Sequence, residues 1–159
     1  MNISKNLIIS ALVFPVVALG IFTAFKKYKI EVGTKIVLPI SGYDPRDLLS
    51  GHYLVYTVEY GATPDCDMGS QPEPSYYCID AKRFYRFKPS TCSAIIRGRC
   101  QYNRFLADIE KFYIPEDKAS ELDKLVRGKE AAIEISVQFD GTAQVRDLLI
   151  NGKSWRELY

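Results

Sequence analysis

The sequence predicts a mainly β protein, an antiparallel sandwich or partly closed barrel with one short helix, behind a single N-terminal transmembrane helix. Three observations carry that prediction. An unbroken run of nineteen uncharged residues, 7–25 (LIISALVFPVVALGIFTAF), opens the chain, and that is the length a helix needs to cross a bilayer core. Beyond it, apolar and polar residues alternate over several short segments separated by Gly, Pro, Asn and Asp. Eleven Tyr and eight Phe against one His and two Met suit pleated, half-buried surfaces.

The N-terminal run admits three readings. A core helix at the extreme N-terminus is the least apt. A cleaved signal peptide is possible, since Ala18 and Gly20 form a small-x-small site. The run continues past that site and ends in Lys26, Lys27 and Lys29, which favours an uncleaved anchor over residues 1–27 and a domain over 28–159. Pro15 is tolerable in a membrane helix. The flanking lysines pull the C-terminal side toward the cytoplasm. The cysteines pull the other way: Cys66, Cys78, Cys92 and Cys100 fall within thirty-five residues, and an even, clustered count suits disulfides in an oxidising compartment. The cysteines outweigh the lysines, placing the domain in the periplasm of a bacterial inner-membrane, single-pass protein.

The elements follow in order. Residues 28–33 are a short linker, and 34–40 (TKIVLPI) a strand. Asp44 caps a short helix that begins at Pro45 and ends at Gly51. The segment 52–60 is a strand with Leu54, Tyr56, Val58 and Tyr60 on one face. Residues 61–75 form an exposed loop. Strands start at 76–79 and 81–88, then at 92–97, and 101–112 is extended. Ala119, Leu122, Leu125 and Val126 give 116–126 a helical spacing. Residues 131–139 (AAIEISVQF) alternate cleanly, Asp140-Gly141 signals a hairpin, 143–150 returns, and Asn151-Gly152 turns into 153–158, which carries Trp155.

These residues carry a family resemblance. Residues 26–43, the DPRDLxxG element at 44–51, 105–116 (FLADIEKFYIPE) and 141–157 resemble the GDYXXLXY family of membrane-anchored bacterial proteins. The naming motif departs here: His52 stands for its Asp, and Tyr56 and Val58 stand where Leu and Tyr are expected. The resemblance implies a fold, an envelope address and association with multi-pass membrane proteins; it implies no activity.

Chemistry is sparsely marked. His52 is the only histidine; with Ser41 or Ser50 and an Asp it could make a triad only if three groups met in space. Asp44 and Asp47 are a carboxylate pair, but a cap and a helix-dipole partner of Arg46 account for both. The cysteine spacing contains no C-x₂-C pair, so disulfides are expected rather than zinc, with the local pairing 66–78 and 92–100 preferred. No cofactor is expected.

Charge excludes a nucleic-acid footprint. With Lys5, Lys26 and Lys27 set aside, 18 basic residues face 19 acidic ones, where a basic domain is needed. Charge is nonetheless segregated: 82–104 carries seven basic residues and no acid, whereas 59–80 carries five acids and no base. The segments either neutralise each other within a sheet or leave a basic face toward headgroups or an acidic partner. The expected function is a non-catalytic accessory of another envelope membrane protein, binding through Asp44, Arg46, Asp47, Arg97 and Arg99. The alternative is a module that holds a glycan or lipid through Tyr side chains and Trp155; a hydrolase is the remaining reading.

Overall fold

A computed structural model describes residues 5–44, 53–64, 66, 72–115, 118, 121, 122, 125, 126 and 130–158; for 5–8 and 42–44 only the backbone is described. Helix α1 (Lys5–Val32) is long and apolar enough to cross a membrane. Ten strands follow among the described residues: β1 (Thr34–Asp44), β2 (Tyr53–Val58), β3 (Glu73–Cys78), β4 (Arg83–Tyr85), β5 (Ile95–Gln101), β6 (Arg104–Leu106), β7 (Lys111–Tyr113), β8 (Ala131–Val137), β9 (Ala143–Ile150) and β10 (Lys153–Ser154). They form two antiparallel sheets, ordered β10-β9-β8-β1-β2-β7 and β4-β3-β5-β6.

Alternation dictates what each strand buries. Leu54, Tyr56 and Val58 of β2 point into the core, as do Ile133, Ile135 and Val137 of β8 and Leu38 and Ile40 of β1. The intervening positions of β1, Val37 and Pro39, are exposed, so the larger sheet buries one face. The two sheets meet through Tyr60, Tyr77, Phe84 and Phe105, whose ring centroids lie 4.8 to 5.6 Å apart in tilted and edge-on contacts. Such geometry suits the ring quadrupole. The Tyr77 hydroxyl donates to the Tyr60 carbonyl across the same seam. Leu122 is fully buried, and Leu125 and Val126 pack against the core, as the helical spacing of 116–126 requires.

The expected linker at 28–33 is helical through Val32, and only Gly33 separates α1 from β1. The helix end is held by the domain. Gln138 Nε2 donates at 2.6 Å to the Lys29 carbonyl, which also accepts from Gly33 N, and Arg146 Nη1 donates at 2.8 Å to the Ile30 carbonyl, an acceptor that the helix terminus leaves open. A bulge between Glu134 and Ile135 inserts Arg146 as an extra residue in β9. That residue turns toward the helix, and Glu134 steadies it at 2.9 Å. A Cβ on Gly33 would stand 2.0 Å from Ser136 Oγ and 2.7 Å from Gln138 Nε2; the close junction therefore requires glycine.

Several turns differ from expectation. Residues 101–112 are not one extended run: Tyr102 and Asn103 both adopt positive φ and form a two-residue turn between β5 and β6, the geometry that matches strand twist. The Asp140-Gly141 signal marks a hairpin, but its loop is three residues long, Phe139 to Gly141, with Gly141 at φ +86° and Gln138 N donating to the Thr142 carbonyl. Asn151-Gly152 makes the expected tight turn. Trp155 begins a 3-10 helix, Trp155–Leu158, and is buried edge-on against Phe112.

The disulfides are Cys66–Cys100 and Cys78–Cys92, which corrects the local pairing expected from sequence. Strand β5 runs straight from Ile95 to Gln101, and at about 3.3 Å per residue it carries Cys100 roughly 17 Å from Ile95. Cys92 stays at the other end, where Cys78 pairs with Ile95, while Cys100 lies opposite Glu73. Replacing both cysteines of either bridge by Ser is expected to cost about 2–4 kcal/mol of stability in urea unfolding. The 34-residue bridge should cost about 0.8 kcal/mol more than the 14-residue one. Non-reducing peptide mapping checks the connectivity itself.

Candidate functional site

A cleft of about 1480 Å³ opens where the two sheets part. One wall is the second half of β2 with its continuation to Pro64; the other is β6, Asp108 and β7. It exists because the edge strand β7 leaves β2 early. β7 pairs with Tyr53, Leu54 and Val55, and Tyr56 N makes the last bond, to the Glu110 carbonyl at 3.2 Å. Asp108 then takes a positive φ, Glu110 Oε1 accepts from Ala107 N at 2.7 Å, and the chain turns back to β6.

The register states which groups this exposes. Glu59 N donates to the Pro39 carbonyl and Val58 stands opposite Ile40, so odd-numbered residues of β2 bond to β1. The N–H and C=O of Val58 therefore point to the other side, toward the cleft, with no partner strand among the described residues. Across the gap, β6 is the edge of its sheet. Its two-residue turn pairs Gln101 with Arg104, which leaves the backbone polar groups of Phe105 directed away from β5. Two strand edges thus flank one cleft, and unpaired edges are templates for a further strand.

Side chains of both signs surround the gap. Arg99 binds Asp108 through two parallel hydrogen bonds of 2.9 and 2.8 Å, and that contact raises the guanidinium pKa further above its ordinary value. Both partners remain substantially open to solvent, so screening limits what this bidentate geometry contributes. Arg104, Lys111 and Glu59 complete the rim. On the cleft wall, burial first and Glu110 second push the Tyr56 and Tyr60 phenols far above their ordinary range. Both stay neutral at physiological pH and act as hydrogen-bonding groups. Tyr56 donates to the Ile109 carbonyl at 2.6 Å. The buried hydroxyl of Tyr60 has no hydrogen-bond partner among the described residues.

The structure separates the residues expected to bind. Arg99 lines the cleft, whereas Arg97 does not: it is exposed and its backbone N donates to the Gly141 carbonyl at 2.7 Å. Asp44 ends β1 opposite Val55, a cleft residue. Arg46, Asp47, Ser50 and His52 lie outside the described residues. Between the segregated charges, Arg86 approaches Glu73 at 3.9 Å, whereas the partner of Arg99, Asp108, lies in neither segment. Trp155 is buried away from the cleft. Thr57, Asp108 and Glu110 were not marked by sequence; only the outward, polar positions Thr57 and Glu59 of an alternating strand hinted at an open face. Among the described residues no three His, Cys, Asp or Glu side chains are grouped to hold a metal ion.

A family model described as GDYXXLXY protein matches residues 15–148, and the chain belongs to that family. Neither a curated protein nor a solved structure matches it. The tyrosine pair yields a sharp contrast. Tyr56→Phe strands a buried carbonyl and should cost about 1–3 kcal/mol. Tyr60→Phe removes a buried hydroxyl that has no partner, so its midpoint in urea should be unchanged or higher.

Proposed function

We propose that this member of the GDYXXLXY family is a membrane-anchored, extracytoplasmic binding module that holds an extended segment of a multi-pass envelope protein in its cleft. The observation that carries this is the pair of facing strand edges at Val58 and Phe105, flanking a gap of about 1480 Å³. An extended chain laid there adds main-chain hydrogen bonds to both sheets, and the alternating side chains meet the mixed charges of the rim. The role is accessory and non-catalytic: the cleft supplies a solvent-open ion pair and unpaired strand edges, which suit recognition. The terminal helix, of membrane-crossing length, supplies the anchor and raises the module's effective concentration for a partner in the same bilayer. Two disulfides fit an oxidising compartment such as the periplasm, with the helix in the inner membrane.

A glycan or lipid ligand has less support. It called on Trp155, whose ring is packed against Phe112, and the cleft exceeds the usual small-ligand volume of about 300–1,000 Å³.

Photo-crosslinking in native membranes tests the proposal. A benzophenone side chain replacing Thr57, in the cleft, is expected to capture a multi-pass membrane protein. The same group replacing Lys153, exposed on β10 at the opposite edge of the larger sheet, should not. Arg99→Glu should reduce capture from position 57 without unfolding the domain. Equal capture from both positions, or capture from 57 that ignores this substitution, contradicts the proposal.

A further inference from the structure

The hairpin between β8 and β9 carries an unusual tip. Phe139 exposes its whole side chain, and Phe87, in the loop after β4, is 85% exposed. The two belong to one patch, because Lys88 Nζ lies 5.3 Å from the Phe139 ring centroid. Arg97 joins it through its backbone bond to Gly141. Asp140, the acid of the tip, spends its carboxylate on Thr142 N and Oγ1, both at 2.9 Å.

The position of this patch follows from the junction. Gln138 immediately precedes Phe139 and is bonded to the Lys29 carbonyl of α1, so the tip stands level with Lys29. Phe25 ends the apolar run, and Lys29 lies four residues further on, about 6 Å along the axis. The headgroup region of one leaflet is about 5–7 Å deep. The patch is therefore held within the interfacial layer, the zone where aromatic rings and lysines concentrate in membrane proteins.

We infer that the β8–β9 hairpin tip and the adjoining 87–88 loop are a second, lipid-contacting surface, with Phe139 and Phe87 set into the headgroup layer around α1 and Lys29, Lys88 and Arg97 facing anionic phosphates. The surface is distinct from the cleft, and the inference rests on α1 being the anchor. It gives the domain two attachments to the leaflet, one through α1 and one through the tip, and these restrain its tilt.

Nitroxide accessibility in the full chain tests this. All four native cysteines are paired, so Phe139→Cys, Phe87→Cys, Phe25→Cys and Lys153→Cys each provide one free thiol for labelling. In nanodiscs containing phosphatidylglycerol, label 25 should collide with oxygen and be shielded from a water-soluble nickel chelate. Labels 139 and 87 should lose nickel accessibility relative to label 153, and Lys88→Glu should return part of it at 139. Label 139 as wet as label 153, with label 25 in lipid, overturns the lipid surface and leaves the anchor intact. A wet label 25 overturns the anchor and the surface with it.

Discussion

One glycine separates a membrane-length helix from the strand that organises the domain. Strand β1 sits between β8 and β2 in the larger sheet, so its direction sets the direction of every neighbour. Because Gly33 leaves no slack and Gln138 and Arg146 hold two carbonyls in the last turn of α1, the sheet continues from the helix end. The loops are thereby sorted. The 138–142 hairpin lies beside the helix, while the Asn151-Gly152 turn and the far end of β1 lie at the opposite pole. A longer or looser junction would uncouple the domain from the axis of the helix.

Within that frame the two sheets are joined at some points and left apart at others. The Tyr60–Tyr77–Phe84–Phe105 cluster, the Cys66–Cys100 bridge and the bond from Arg97 N to the Gly141 carbonyl hold them together. Between Tyr56 and Tyr60 they part, because β7 ends its pairing at Val55 and the chain turns at Asp108. Full closure would have removed both edges, the usual defence against unwanted pairing. Leaving them open is a cost that the proposed bound segment would offset by completing the sheet.

The sequence made some of this legible. Alternation located β2, with its buried face, and β8, because a one-sided sheet imposes a period of two; the hairpin signal at Asp140-Gly141 located the return of β9. The apolar run located α1, and Asn151-Gly152 located the last tight turn. The Tyr102-Asn103 turn escaped because it lacks the glycine such turns favour, so one extended run was expected where two strands form. The disulfide pairing escaped because it depends on β3 and β5 lying antiparallel, which no local spacing records. The helical linker escaped because its caps come from Gln138 and Arg146, more than a hundred residues away. Arg99 was singled out for its charge alone; that it sits at a cleft while Arg97 joins a different surface depends on where β6 and the 138–142 hairpin pack.

If helix and domain are one rigid body, the distance between them is as well defined as any distance inside the domain. Pulsed dipolar spectroscopy on nitroxides at Lys27→Cys and Lys153→Cys, in the full chain within a bilayer, measures this directly. The expected result is a single distance distribution no wider than that between labels at Lys111→Cys and Lys153→Cys. A broad or multiple distribution for the helix–domain pair, alongside a narrow one within the domain, would contradict it.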